Sequence, residues 1–295
     1  MQETEYETWE IEDYVVEAAR QPFTSNRHVY RGRDQRGECD VIVKCLRHSA
    51  NRDESERFSR EYFHAKDLQT LVPNRFAEIF DTVEMTFNDS LQQGPYKHAL
   101  VLPYYQGGTL AEYTESPDKR LGIEDILRLT EQIAHAMHNA YGLHPRSDPG
   151  STPRRFIHRD LKPSNIFLEE EITHEGVTRI SNVRIGDFGS AKFQDGEASR
   201  TTEVLFVTEG YAAPELSSGV SMGDNRSDVY SIGKTILALL QIPPTDTVHS
   251  VREWVTGAID MADTGRVTKR DLINVICKAI DAEPQYRYKD CGQLA

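Results

Sequence analysis

Between His28 and Leu46, the apolar runs Val29-Tyr30 and Val41-Ile42-Val43-Lys44 flank a polar Gln35-Arg36-Gly37, which predicts two strands joined by a turn. Upstream, Trp9, Ile11, Tyr14, Val15 and Val16 punctuate an acidic stretch and suit packing on a sheet edge. A charged segment from Asn51 leads into Phe58, Tyr62, Phe63, Ala65 and Leu68, spaced for one buried helical face. Two more strands are expected near 77–87 and 98–102. After Pro103 the spacing changes: helical patterns run over Ile123–Tyr141, 228–240 and 271–280. Short strands are expected at Ile166–Leu168 and Val183–Ile185, with a hairpin over 169–182 between them. Turn formers fill 144–154 and predict an exposed loop. The stretch 103–108, with Gly107-Gly108, marks a boundary, giving an N-terminal part of 1–105 and a C-terminal part of 106–295.

Composition narrows the class. With 295 residues, 38% hydrophobic and 27% charged, the chain has ample length for a core and an ordinary globular make-up. The longest apolar stretch, near Ile236-Leu237-Ala238-Leu239-Leu240, is far below the roughly 20 residues of a membrane span. The formal charge of −13 argues against nucleic acid as a general partner, because phosphate backbones call for clustered Lys and Arg. Cys39, Cys45, Cys277 and Cys291 are scattered and read as structural thiols of a reducing, cytoplasmic compartment. His64, His135 and His138 read as ordinary helix residues.

The chemistry concentrates in two short runs. His158-Arg159-Asp160-Leu161-Lys162-Pro163-Ser164-Asn165 packs a carboxylate, a cation and a metal-capable amide together, and Asp187-Phe188-Gly189 adds a second carboxylate. These are the groups phosphoryl transfer needs: one to orient and deprotonate a hydroxyl, a charge for the moving phosphoryl, and hard oxygen ligands for magnesium. On these residues the chain resembles the eukaryotic-type Ser/Thr protein kinase family.

The resemblance implies an α+β, two-lobed fold: a small antiparallel sheet lobe with one helix, and a larger, mainly helical lobe. It implies ATP and magnesium (manganese as an alternative ion), with Asn165 and Asp187 as metal ligands. Asp160 is then the catalytic base and Lys162 the neutraliser of phosphoryl charge; lysine at this place favours Ser/Thr over Tyr specificity. Lys44 contacts the α- and β-phosphates, and Glu61 is its expected helix partner ahead of Glu54 and Glu56. Val29, Ile42, Leu102, Pro103, Tyr105 and Phe167 line the adenine slot, with Leu102 as gatekeeper. Thr208 to Glu215 closes the activation segment. Glu215 is expected to pair with Arg287, and Asp228 to hold the catalytic-loop backbone. Arg159 implies a clamp for a phosphorylated Ser199, Thr201 or Thr202, with self-association for autophosphorylation; simple loop hydroxyls are the alternative.

The resemblance has gaps. The family's glycine-rich phosphate cover is absent: if Val29 is its closing valine, the glycine positions hold Pro22, Thr24 and Arg27. Ile42 stands where alanine is usual. Two functions follow: a kinase acting on protein substrates of unknown identity, with Arg27 as a source of charge, or a pseudokinase that works as a protein-binding scaffold. No basic-directed preference is expected, since Thr109, Ser164 and Ala238 occupy places where acids would sit. The family's last helix is barely begun at residue 295, which suggests a catalytic domain trimmed from a longer protein or a shortened end.

Overall fold

Twelve strands and six α-helices occur among the residues that a computed structural model describes: 7–18, 28–84, 96–115, 119–142, 155–169, 171–174, 177–180, 182–194, 208–217, 223–242 and 268–295. Pro22, Thr24, Arg27, the 144–154 loop, Ser199, Thr201 and Thr202 lie outside these residues. The chain divides into two compact units: 1–66 with 77–104, and 67–76 with 105–295.

The first unit holds a six-stranded antiparallel sheet. Its strands are β1 (Glu7–Ile11), β2 (Tyr14–Ala18), β3 (Val29–Asp34), β4 (Cys39–Arg47), β5 (Asp81–Glu84) and β6 (Tyr96–Pro103), in the order β1-β2-β3-β4-β6-β5. The side-chain period of two decides what each face carries. Val41, Val43 and Cys45 of β4 join Ile11, Tyr14, Val16, Val83, Tyr96, Ala99 and Val101 in one apolar cluster. The alternate residues of β4, Ile42 and Lys44, face the other way. Register puts Val29 opposite Lys44, and Leu102 opposite Ile42, so these four share the second face. Of the residues expected at a sheet edge, Ile11 lies on the edge strand β1, whereas Tyr14 and Val16 lie on β2, which is paired on both sides, by β1 and β3.

Helix α1 (Arg52–Leu71) departs from its expected face. Ala65 and Leu68 are fully buried, but Phe63 is 62% exposed while Glu61 is 4% exposed. At 100° per residue, Phe63 points some ~200° away from Glu61, so seating Glu61 inward turns Phe63 to solvent. Glu61 shares the buried stripe with Ala65 and Leu68. Lys66 Nζ donating to the Ile79 carbonyl (2.7 Å) and Lys97 Nζ donating to Ser55 Oγ (3.0 Å) tie the helix to its unit.

The second unit carries α2 (Ala111–Glu115), α3 (Ile123–Tyr141), α4 (Pro214–Ser217), α5 (Asn225–Leu239) and α6 (Lys269–Ala279). It also holds three two-stranded sheets. In these, β7 (Arg155–Ile157) pairs with β12 (Lys192–Gln194), β8 (Ile166–Leu168) with β11 (Val183–Ile185), and β9 (Glu171–His174) with β10 (Val177–Ile180). Helix α5 packs against both α3 and α6 and is buried along nearly its whole length. Gly233 allows this: a Cβ there would lie 2.7 Å from Ile280 Cγ2. Helices α5 and α6 start earlier than their apolar spacing suggests. Asp224 with Ser227, and Thr268 with Asp271, form capping boxes that satisfy the first backbone N–H groups ahead of the apolar residues.

Candidate active site

The 158–165 loop joins β7 to β8, and a buried carboxylate on α5 shapes it. Asp228 accepts the backbone N–H of His158 through Oδ2 and that of Arg159 through Oδ1, both at 2.9 Å. Burial pushes the Asp228 carboxyl up to about 7, against the lowering pull of these two donors and of Arg159. Arg159 sits at φ 66°, a left-handed conformation that costs an L-residue about 1–2 kcal/mol. Its Nε donates to the Ser190 carbonyl at 2.7 Å, so backbone and side chain are both tied at the strained residue.

His158 is fully buried, and its Nε2 lies 3.0 Å from the Gly186 carbonyl while Nδ1 faces the Asp160 backbone N–H at 3.4 Å. That pattern assigns the proton to Nε2. Burial lowers the imidazole's pKa, in keeping with a neutral ring. Phe188 packs beside it, with ring centroids 5.7 Å from His158, 5.9 Å from Phe76 and 6.2 Å from Phe156.

These supports present Asp160, whose carboxylate is almost buried. Oδ1 accepts from Thr208 Oγ1 at 2.6 Å, and Oδ2 accepts from Lys162 Nζ at 3.0 Å and Asn165 Nδ2 at 3.2 Å. Lys162 Nζ also donates to Thr208 Oγ1 at 2.7 Å, which closes a ring of three side chains. Asp160, Lys162 and Asn165, expected together from the sequence, are together. Thr208 was not expected among them; its only sequence signal is a hydroxyl heading the run that ends at Glu215.

Asn165 Nδ2 also donates to the Asp160 carbonyl (2.8 Å), so the amide nitrogen faces the loop and Oδ1 is directed elsewhere, as a metal ligand requires. The Gly186 N–H donates to the Asn165 carbonyl at 2.9 Å, linking this loop to the strand that delivers Asp187 at φ 60°. No group of three or more His, Cys, Asp or Glu able to hold a metal occurs among the described residues. An amide oxygen and one carboxylate fit magnesium, which keeps waters and phosphate oxygens in its shell and needs no all-protein cage.

Within the first unit, Lys44 Nζ meets Glu61 Oε2 at 2.5 Å, so Glu61 is the helix acid seated against the lysine. Glu54 and Glu56 are exposed; Glu54 accepts from the Asn51 N–H and Glu56 from Arg52. In the second unit, Tyr105 stacks on Phe167 with centroids 5.4 Å apart. Residues 107–110 run beside β8 through Gly107 N–H to the Leu168 carbonyl (3.2 Å) and Leu110 N–H to the Ile166 carbonyl (2.9 Å). Arg287 donates to both oxygens of Glu215 at 2.8 and 2.9 Å, and Ser227 Oγ donates to it at 2.7 Å. The pairing with Arg287 is the expected one; Ser227 adds to it.

A loop carboxylate thus accepts from lysine, asparagine and threonine, and the backbone just before the Asp-Phe-Gly turn is hydrogen-bonded to the same loop. The protein kinase domain family model matches residues 25–288, and the chain belongs to that family. It is 30% identical to a probable serine/threonine-protein kinase of Streptomyces coelicolor over 278 residues, covering 90% of this chain and 36% of the relative. It is 29% identical to the serine/threonine-protein kinase PknB of Mycobacterium tuberculosis over 287 residues, covering 92% and 40%. With human serine/threonine-protein kinase Nek2 it shares 29% identity over 194 residues, covering 64% and 40%. The chain thus spans well under half the length of these curated relatives.

Proposed function

We propose that this chain is an ATP-dependent protein serine/threonine kinase domain, with 1–105 as its nucleotide-binding lobe and 106–295 as its catalytic and substrate-binding lobe. The observation that carries the reading is the Asp160 carboxylate held by Thr208, Lys162 and Asn165. A group with a single fixed orientation is what general-base catalysis asks for.

In this reading the substrate Ser or Thr hydroxyl donates to Asp160 and its oxygen attacks the γ-phosphorus. The bond from that phosphorus to the β–γ bridging oxygen breaks, ADP leaves, and the hydroxyl proton passes to Asp160. Lys162 offsets the charge on the phosphoryl in transit. Lys44, seated by Glu61, holds the α- and β-phosphates, and Val29, Ile42, Leu102, Pro103, Tyr105 and Phe167 receive the base. Asn165 Oδ1 and Asp187 hold magnesium, or manganese in its stead, which neutralises phosphate charge when bound.

Retention of this full set supports catalysis over a scaffold role, since a scaffold uses none of it. Protein rather than nucleic acid as substrate agrees with the formal charge of −13. No described helix is long and apolar enough to cross a membrane, and a cytoplasmic site of action is part of the proposal. So is self-association for autophosphorylation at Thr201 or Thr202, for which mass spectrometry after ATP treatment is the check. The main experiment is magnesium-dependent transfer of labelled phosphate to a generic protein. Asp160→Ala is expected to lower it by at least about 10²-fold; equal activity in the variant would refute the reading.

A further inference from the structure

The start of β3, which carries Val29, is fastened by side chains that the proposed reaction leaves unused. His28 Nδ1 lies 3.1 Å from Tyr96 Oη, and Tyr96 Oη lies 2.6 Å from Tyr30 Oη. Arg47 Nε donates to His28 Nε2 at 2.7 Å. The three rings meet edge-on, with centroids 5.6 Å apart for His28 and Tyr96 and 6.2 Å for Tyr30 and Tyr96.

Proton bookkeeping fixes the direction of this chain. A guanidinium only donates, so Nε2 of His28 is an acceptor and the imidazole proton sits on Nδ1, where it donates to Tyr96. One tyrosine hydroxyl then donates to the other, and each ring keeps its own proton. Three strands are joined: β3 through Tyr30, β6 through Tyr96, and β4 through Arg47 and the Cys45 N–H, which donates to the His28 carbonyl at 2.8 Å.

The consequence falls on the opposite face. Tyr30 packs against the apolar cluster, so the residue before it, Val29, points to the face that holds its register partner Lys44, along with Ile42 and Leu102. Fixing His28 and Tyr30 on either side of Val29 fixes the height of Val29 beside Lys44. The sequence just upstream has no glycine at positions 22, 24 or 27, so backbone approach to phosphate is not available there by the usual means.

We propose that His28 and Tyr96 are positioning residues for the nucleotide: their hydrogen bond sets Val29 against the base and thereby the affinity for ATP. The inference rests on the proposed function, since it takes Val29 as part of the nucleotide site.

Steady-state kinetics, ATP-binding titration and thermal unfolding are measured for wild type, His28→Ala, His28→Asn, Tyr96→Phe and Arg47→Ala. His28→Ala and Tyr96→Phe should each raise the KM and Kd for ATP about fivefold, the worth of one hydrogen bond, while kcat stays within about twofold. His28→Asn places an amide donor near the lost Nδ1 and should restore wild-type affinity. Arg47→Ala should change little, because water replaces its exposed contact. A lower melting temperature with unchanged ATP affinity in both His28→Ala and Tyr96→Phe would overturn the inference, leaving these groups purely structural. If His28→Ala fails to fold, Tyr96→Phe, which removes one hydroxyl, carries the same test. A wild-type protein that binds no ATP would instead sink the proposed function, and this inference with it.

Discussion

The acids of the two units are held in different ways. In the second unit, Asp160, Asp228 and Glu215 each accept hydrogen bonds from at least two donors, and those of Asp160 and Glu215 come from separate stretches of chain. In the first, Glu61 meets Lys44 across a 2.5 Å contact. Several donors from separate segments define a carboxylate's orientation redundantly, so loss of one leaves the group nearly in place. The Lys44–Glu61 ion pair joins a strand to a helix, so its geometry follows the helix.

Substitutions at four positions break or sharpen this contrast. Glu61→Gln removes the negative charge opposite Lys44 and should lower kcat/KM by about 10²-fold, the usual penalty for a misplaced phosphate-binding group. A loss no greater than that of a single Asp160 donor would erase the contrast.

Glu215→Gln should cost roughly 3 kcal/mol in denaturant unfolding, because Arg287 keeps its buried charge without its counterion. Burial alone would raise the Glu215 carboxyl, but the donors Arg287 and Ser227 outweigh it and leave it below its ordinary value of 4.5. The folded chain therefore takes up this proton later than the unfolded chain during acidification. The stabilisation is complete above 4.5 and is lost as the pH falls through the lowered folded-state value. Stability measured against pH should lose that acid-limb slope in Glu215→Gln.

Thr208→Val deletes one donor to Asp160 and one acceptor of Lys162, and kcat should fall about tenfold with the ATP KM little changed. Thr208→Ser should restore activity. The smallest effect belongs to Phe63→Ser, expected to shift unfolding free energy by no more than about 0.5 kcal/mol, as for a surface position. A loss of several kcal/mol would put Phe63 back on the buried face.

Much of the site was legible because its chemistry is local. Asp160, Lys162 and Asn165 lie within six residues of one another, and the loop that presents them is a short run between two strands. Helix α3 was readable end to end because its apolar spacing is regular and one face is buried throughout. Thr208 escaped notice because 48 residues separate it from Asp160 and nothing in its own stretch advertises the partner. Phe63 misled because periodicity reports apolar residues without saying which stripe faces inward. On α1 the inward stripe is the one that carries Glu61, Ala65 and Leu68.

The order of strands and helices, the two motifs and the candidate acids, lysines and amide were set by the sequence, since each depends on neighbours within a turn or a strand. Tertiary structure alone decided that Thr208 holds Asp160, that Ser227 joins Arg287 on Glu215, and how His28 and Tyr96 fasten the strand bearing Val29. Those choices depend on distances between segments far apart in the chain, which hydrogen-bond geometry fixes only after the backbone has folded.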